Sequence, residues 1–317
     1  MLTLRGRAPM RIVFFGTSSF ALPSLEAVAG AGHEILLCVT QPDKPQGRGQ
    51  RVEASPVKQA ALRLGLAVAQ PERLAPPLIA AAAPEVGVVA SYGRLIPPDV
   101  LAVPRHGMLG VHPSLLPKYR GAAPVTWALL NGDPITGVSI YRLTAALDAG
   151  DVAAQERVAI GPEEDAVSLT RRLAAVGAQA LLRVLEALAA GGAKFFPQDR
   201  AQASEAPKLA KAQGRIDWRL PAQEIARLVR ATAPWPGATT TLGATAIKVS
   251  AARAAGPAPT GAAPGTIVDT RGGLLRVATG DGALEIAELQ PAGRRRMRAH
   301  EFLAGHRVGA GDRFGRG

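Results

Sequence analysis

The stretch Arg11-Ile12-Val13-Phe14-Phe15-Gly16-Thr17 is a run of apolar residues that ends at a glycine. Such a run is typical of a strand that is buried on both faces of a parallel sheet. Apolar residues at helical spacing follow over residues 20–28, and residues 34–40 form a second apolar run. This β-α-β order predicts an α/β fold with a doubly wound, Rossmann-like parallel sheet.

The same alternation continues along the chain. A polar loop is predicted at 43–53, strands at 66–69, 86–90 and 108–112, and helices at 56–64, near 78–82 and over 163–191. Ligands of doubly wound sheets bind beyond the carboxyl ends of the strands. The end of the strand at 108–112 is therefore a predicted site of chemistry.

The chain changes character after the long helical pattern. A polar stretch at 198–208 is predicted to be a linker between a sheet domain at 10–197 and a second domain at 209–317. Short alternating segments separated by Gly, Pro and Thr predict a small β-barrel there, with a surface loop at 251–264. Residues 1–9 are basic without an apolar core and are predicted to be a disordered extension.

Charge is spread unevenly over the 317 residues, whose formal net charge is +12. From Leu209 onward there are 16 Lys and Arg against 8 Asp and Glu, so two thirds of the excess lies in the last third of the chain. Solvated arginine surfaces are one explanation. A domain that faces a polyanion is the other, and the clustering favours it.

Several classes of protein are not expected. No apolar run approaches the roughly 20 residues that span a bilayer, so no membrane partner is predicted. The single cysteine, Cys38, lies in an apolar run, which predicts a buried residue and a reduced, cytoplasmic setting. His306 follows His300 by six residues rather than four, so the two do not share a helical face, and no metal is expected.

The most informative block is Gly110-Val111-His112-Pro113-Ser114-Leu115-Leu116-Pro117, which continues through Pro124. It places His112 at a strand end, where an imidazole suits proton transfer. Further on, Leu147-Asp148-Ala149-Gly150-Asp151 supplies a carboxylate, Asp148, that could orient that histidine. From the residues alone, a structural histidine is an equally good interpretation.

From about Met10 onward the chain resembles the methionyl-tRNA formyltransferases, through many separate blocks in the same order. Besides the blocks at 110–124 and 147–151, they include Ser91-Tyr92-Gly93-Arg94-Leu95-Ile96-Pro97, Thr136-Gly137-Val138-Ser139-Ile140, Gly214-Arg215-Ile216-Asp217-Trp218 and Pro234-Trp235-Pro236-Gly237-Ala238.

The resemblance implies transfer of a formyl group from 10-formyltetrahydrofolate to the amino group of methionyl initiator tRNA, for translation initiation. A monomer is expected, although the sequence itself does not determine the oligomeric state. The resemblance also implies that 10–197 is the catalytic, folate-binding domain and that 209–317 is an OB-like β-barrel domain that binds tRNA. By position it assigns proton movement to His112 and its support to Asp148. It assigns folate binding to Ser114, Leu115, Leu116 and Pro117, and a tRNA contact to Arg48. The basic cluster Arg294, Arg295 and Arg296 is a candidate phosphate contact, with a solvated turn as the alternative.

One position departs from the family pattern, which has Asn-x-His where this chain has Gly110-Val111-His112. The family's asparagine is understood to hydrogen-bond the formyl oxygen as it becomes an oxyanion, and glycine has no such donor. By that argument, Gly110→Asn is expected to raise the single-turnover rate at least tenfold. A slowed enzyme, a formyltransferase or hydrolase that uses the same folate donor with a small amine or water as acceptor, and an inactive folate- or tRNA-binding homologue stay open as alternatives.

Overall fold

The computed structural model describes residues 9–46 and 51–315, which form two compact units. The first contains the described residues up to Pro124 together with Ile135–Ala159 and Thr170–Pro207. The second contains Val125–Pro134, Ile160–Leu169 and the described residues from Lys208 onward. Arg48 and residues 1–8 of the predicted extension lie outside the described residues.

The first unit is built on a seven-stranded sheet. In chain order the strands in the described part of this unit are β1 (Arg11–Gly16), β2 (Glu34–Val39), β3 (Lys44–Gln46), β4 (Arg51–Glu53), β5 (Val68–Ala69), β6 (Val86–Ala90), β7 (Met108–His112), β8 (Ile135–Arg142) and β9 (Val152–Ala159). Strands β3 and β4 form a separate pair. The sheet order is β5-β2-β1-β6-β7-β8-β9. The first five strands in this order, β5-β2-β1-β6-β7, are parallel to one another, which confirms the predicted Rossmann-like sheet. Strands β8 and β9 add an antiparallel edge that the sequence did not predict.

The helices fall between and beyond these strands. They are α1 (Leu22–Gly30), α2 (Pro56–Arg63), α3 (Pro76–Ala80), α4 (Pro98–Leu101), α5 (Pro124–Asn131), α6 (Ala166–Ala189), α7 (Ala222–Ala231) and α8 (Ala299–Gly305). Single 3₁₀ turns lie at Ser19–Ala21, Arg200–Gln202, Lys211–Gly214 and Arg271–Gly273. Helix α2 begins where the sequence signals it, because the Ser55 side chain accepts a hydrogen bond from the Lys58 amide and proline follows directly.

The predicted polar loop at 43–53 is wrong in part. Strands β3 and β4 pair antiparallel within it and form a hairpin. The polar, Gly- and Pro-containing sequence conceals this pairing because strands of three residues are too short to show a recognisable apolar alternation. The base of the hairpin is held by Asp43, which pairs with the Lys58 ammonium and accepts a hydrogen bond from Gln70 at 2.7 Å.

The carboxyl ends of the parallel strands meet at one edge of the sheet. After β1, Thr17 donates its hydroxyl hydrogen to the backbone oxygen of Tyr92, which follows β6, at 2.9 Å. After β2, the side-chain amide of Gln41 donates through Nε2 to the same oxygen at 2.8 Å. These contacts join three strand-end loops on the edge at which β7 ends with His112.

Strand β2 carries the chain's single cysteine, Cys38, which is fully buried. Burial raises the pKa of the Cys38 thiol to about 12. At pH 8 only roughly one thiol in ten thousand is therefore ionised. We expect no reaction with Ellman's reagent in the native protein over an hour, and one equivalent after unfolding in guanidinium chloride. Rapid modification of the native protein would contradict the buried position.

The second unit is an antiparallel β domain, as predicted. Its strands are β10 (Ala238–Leu242), β11 (Thr245–Ala254), β12 (Ile267–Asp269), β13 (Arg276–Ala278), β14 (Ala283–Pro291) and β15 (Met297–Arg298). They pair in the order β10-β11-β14-β13-β12, with β15 on β14. The surface loop predicted to begin at Ala251 begins later, because β11 continues to Ala254 in register with β14.

The end of the described chain closes this sheet. Leu242 of β10 forms a bridge with Phe314, and Thr266, next to β12, forms one with Arg313. Phe314 is buried and stacks on Trp218, with ring centroids 5.5 Å apart. A single segment thus links the two edge strands, and a closed sheet leaves no long free edge.

Two kinds of feature are missing from residues 9–46 and 51–315. No helix there is long and apolar enough to cross a membrane. No group of three or more His, Cys, Asp and Glu side chains there is arranged to hold a metal ion.

Candidate active site

His112 ends β7 with its side chain almost entirely buried. Its Nε2 lies 2.8 Å from the backbone oxygen of Tyr119. Because a carbonyl only accepts hydrogen bonds, Nε2 carries a hydrogen in this arrangement. The other ring nitrogen, Nδ1, faces Asp148, 3.7 Å from Oδ2. The ring is therefore held by a backbone carbonyl, whereas the sequence argument gave that role to the carboxylate.

Asp148 is brought to His112 by an unusual backbone conformation and held there by two donors. Its φ is +49°, in the left-handed region that aspartate tolerates better than most residues. Oδ2 accepts a hydrogen bond from the Gly121 amide at 2.8 Å. Oδ1 accepts one from the Tyr141 hydroxyl at 2.6 Å. The structure thus brings the two predicted residues together, at a separation longer than a direct hydrogen bond.

Tyr141 occupies the space beside Gly110. The two residues are directly opposite each other on β8 and β7. A Cβ atom added to Gly110 would lie 2.3 Å from Cε1 of Tyr141 and 2.8 Å from Cδ1 of Leu143. Burial, together with the nearby Asp148 carboxylate, raises the pKa of Tyr141 well above its usual value, so the phenol stays protonated.

This packing overturns the premise that Gly110→Asn simply restores a missing donor. That expectation takes the space beside Gly110 to be available to a new side chain. The structure fills it with the ring of Tyr141, which is buried and tethered through its hydroxyl. Glycine at 110 is thus required by its neighbour across the sheet.

The segment Ser114 to Pro117, predicted to meet the folate, is tied into the unit through its backbone. Each of its four carbonyl oxygens already accepts a hydrogen bond. The donors are the Ser139 hydroxyl, the Lys118 amide, the Gln155 side chain and the Ser204 amide, in chain order of the acceptors. The Leu116 amide donates to the Ser139 hydroxyl at 3.0 Å. Ser114 and Leu116 are buried, while Leu115 and Pro117 are partly exposed. Folate binding by these residues stays a prediction, with the latter two the accessible ones.

The predicted linker at 198–208 contacts this site. The side chain of Gln198 donates to the backbone oxygens of Asp148, at 2.9 Å, and of Gly150, at 2.7 Å. Its amide oxygen accepts from the Arg120 guanidinium at 2.6 Å. Ala206 is fully buried and donates its amide hydrogen to the Arg120 backbone oxygen at 2.7 Å. These residues therefore pack within the first unit and support the turn that carries Asp148.

In the second unit, the predicted tRNA-binding residues Arg294, Arg295 and Arg296 lie on the surface between β14 and β15. Arg295 pairs with Glu301 at 2.6 Å, and Arg296 pairs with Glu288. Among the described residues no carboxylate pairs with Arg294. The three charges therefore differ in how freely they are available to an external anion.

Sequence reasoning missed Tyr141, Gly121 and the Tyr119 carbonyl. The last two could not have been found, because they act through backbone atoms. Tyr141 could not have been found from a local pattern either, because only the antiparallel register of β8 on β7 places it opposite Gly110.

Comparisons with known proteins agree with this architecture. The family model described as formyl transferase matches residues 10–185. The model described as formyl transferase, C-terminal domain, matches residues 208–307. Methionyl-tRNA formyltransferase of Roseiflexus castenholzii is 48% identical over 311 residues, which cover 96% of this chain and 99% of that protein. The protein of the same name from Solibacter usitatus is 46% identical, with 97% and 99% covered.

Solved structures share the fold at lower identity. HypX from Aquifex aeolicus in complex with tetrahydrofolic acid has a TM-score of 0.65 at 20% identity, covering 93% of this chain and 47% of that one. The N-formyltransferase from Helicobacter canadensis in complex with folinic acid and dTDP-3-aminofucose has a TM-score of 0.66 at 15% identity. That match covers 88% of this chain and 99% of the other.

Proposed function

The chain belongs to the methionyl-tRNA formyltransferase family, and from that premise we propose that it formylates the amino group of methionyl initiator tRNA. The formyl donor in this proposal is 10-formyltetrahydrofolate. The observation that carries it is the 48% identity extending over 99% of a relative that bears this name. Identity of that extent includes both the sheet domain and the second domain, which holds two thirds of the chain's excess positive charge.

The proposed chemistry uses the pair at the end of β7. The methionyl amine attacks the formyl carbon, a new carbon–nitrogen bond forms, and the bond from that carbon to N10 of the folate breaks. The proton that the amine loses reaches N10 of the departing tetrahydrofolate. His112 is proposed to move this proton, and Asp148, 3.7 Å from its ring, to balance the charge that the imidazole gains.

The proposal extends to the setting of the reaction. A single cysteine that is buried in β2 suits the reduced cytoplasm, where translation begins. We propose that 10–197 is the catalytic domain, that 209–317 contacts the tRNA, and that the protein acts as a monomer. Arg48, Arg294, Arg295 and Arg296 are the proposed tRNA contacts, and light scattering on the purified protein tests the monomer.

Formyl transfer to charged tRNA tests the function directly. The full-length protein is incubated with 10-formyltetrahydrofolate and [³⁵S]methionyl initiator tRNA, and formylmethionine is measured after hydrolysis of the ester. Methionyl elongator tRNA and a dTDP-amino sugar serve as alternative acceptors. We expect formylation of initiator methionyl-tRNA alone. Formylation of only the sugar amine, or of no acceptor, would overturn the proposal.

Binding of tRNA by the second unit should depend on its unpaired charge. Because Glu301 and Glu288 compete for Arg295 and Arg296, Arg294 is the arginine of this cluster best placed to contact a phosphate. We expect Arg294→Ala to weaken tRNA binding about 3–10-fold near 150 mM salt and to lower the slope of log K against log salt by about 1. Fluorescence anisotropy at several salt concentrations measures both.

The matched control is Arg271→Ala. It removes another exposed positive charge from the same unit, but one that pairs with Asp269 at 2.9 Å. If both substitutions lower the affinity and the salt slope equally, only net charge matters, and Arg294 is no specific contact.

A further inference from the structure

Where the family pattern has an asparagine side chain, this chain has Gly110, and the phenol of Tyr141 occupies the space beside it. Residues 110 and 112 lie on the same face of β7, because alternate residues of a strand do. The ring of Tyr141 lies across that face, with its centroid 6.3 Å from that of His112 and the two planes nearly perpendicular. The absence of a side chain at 110 is what admits the phenol beside the histidine.

The phenol hydroxyl completes the anchoring of Asp148. Both oxygens of this carboxylate accept a hydrogen bond, Oδ1 from the hydroxyl of the buried Tyr141 and Oδ2 from the amide of the partly exposed Gly121. With both oxygens held, the carboxylate cannot rotate freely, and Oδ2 stays directed at His112. Hydrogen bonds to a charged acceptor are stronger than those between neutral groups.

We propose that Tyr141 is a positioning residue, whose hydroxyl fixes Asp148 in the orientation that supports His112. This inference rests on the proposed formyl transfer and adds to it a residue that the resemblance does not assign. Tyr141 acts through Asp148, since its single hydroxyl hydrogen is already donated to that carboxylate. The phenol cannot at the same time donate to a developing oxyanion.

The ring and the hydroxyl of Tyr141 have separate roles. The ring fills the space beside Gly110, and the hydroxyl holds Asp148. Tyr141→Phe keeps the first role and removes only the second, so the folded structure is retained. A positioning role predicts a lower rate of the chemical step with unchanged substrate binding, because no substrate group needs to touch the phenol.

The test compares Tyr141→Phe with the wild type in the formyl-transfer assay. We expect kcat to fall about 10-fold, because the substitution removes one hydrogen bond to a charged group, the Asp148 carboxylate. The KM values for tRNA and folate should stay within about twofold of the wild type. In a His112→Gln background the same substitution should have little further effect, because the two residues act as a unit. Thr240→Val is the control. It removes a buried hydroxyl that accepts a 2.9 Å hydrogen bond from Trp218 in the second unit, and kcat should stay within about twofold of the wild type.

A second measurement does not need the reaction. The imidazole ¹⁵N chemical shifts of His112 should change in Tyr141→Phe and stay unchanged in Thr240→Val. If the shifts change but the wild-type protein formylates no tRNA, the proposed function fails while the positioning of His112 through Asp148 holds. Unchanged His112 shifts, or an undiminished kcat in an active enzyme, overturn the role of Tyr141.

Discussion

Replacing His112 with Gln is expected to lower kcat for formyl transfer about 10²–10⁴-fold, the range over which positioned acid–base groups act. A glutamine amide can still donate a hydrogen bond to the Tyr119 carbonyl, which His112 Nε2 reaches at 2.8 Å. It has no group that gains or loses a proton near neutral pH. The substitution therefore removes proton transfer while keeping a polar side chain of similar reach at the end of β7.

Rates in a single turnover, with enzyme in excess over charged tRNA, measure this loss without a contribution from product release. The control is His106→Gln, in the loop before β7. The backbone amide of His106 donates to the backbone oxygen of Glu85 at 2.8 Å, and the substitution leaves this hydrogen bond in place. We expect the control to stay within about twofold of the wild type. A His112→Gln enzyme that keeps more than about a tenth of the wild-type rate would show that proton movement does not depend on this imidazole.

Asp148 cannot be replaced by its amide without a structural cost. Both of its oxygens accept hydrogen bonds, from Gly121 and Tyr141, and an asparagine would place an NH₂ group against one of these donors. The carboxylate is thus required by its surroundings as well as by the charge it offers to His112. Loss of activity in an Asp148→Asn variant would not by itself separate these two requirements, whereas Tyr141→Phe removes a single hydrogen bond.

The parallel part of the fold was predictable because its signals are local. The apolar run at β1 and the strand at Met108–His112 are each marked by composition and by the turn residues that follow. The position of His112 at the sheet edge then follows from the rule that parallel strands end together. Asp148 was found for a similar reason, since its turn-like setting is visible in the neighbouring glycine and alanine residues.

The remainder of the site depends on pairings across the chain that no local pattern records. The antiparallel registers of β7 with β8 set Gly110 opposite Tyr141. Gln198 reaches Asp148 across 50 positions of sequence, from a stretch whose polar composition is typical of linkers. The sequence therefore pointed to the unusual glycine at 110, but it suggested only that a hydrogen-bond donor is missing there. The side chain that fills the space belongs to another strand, β8, and could not be recognised from the sequence.

The structure reverses the expected effect of Gly110→Asn. A Cβ at this position would approach Tyr141 Cε1 to 2.3 Å and Leu143 Cδ1 to 2.8 Å, so the ring must move. Overpacking of this kind costs about 1–3 kcal/mol of folding free energy. The displaced phenol also releases Asp148, and a misplacement of about 1 Å at a catalytic group lowers rates about 10²-fold. We therefore expect a lower melting temperature and a kcat about 10²-fold below that of the wild type.

Two further variants separate packing from chemistry. Gly107→Asn, just before β7, adds the same side chain where nothing lies within 4 Å of the new Cβ, at a φ of +71° that asparagine tolerates. It should change neither stability nor rate substantially. In the double variant that combines Gly110→Asn with Tyr141→Val, the second change removes the obstructing ring. The loss of folding free energy in this double variant should be smaller than the summed losses of the two single variants by about 0.5–3 kcal/mol. Additive stabilities, or a single Gly110→Asn variant that is faster than the wild type, would show that Tyr141 yields readily and that a donor at 110 is what this site lacks.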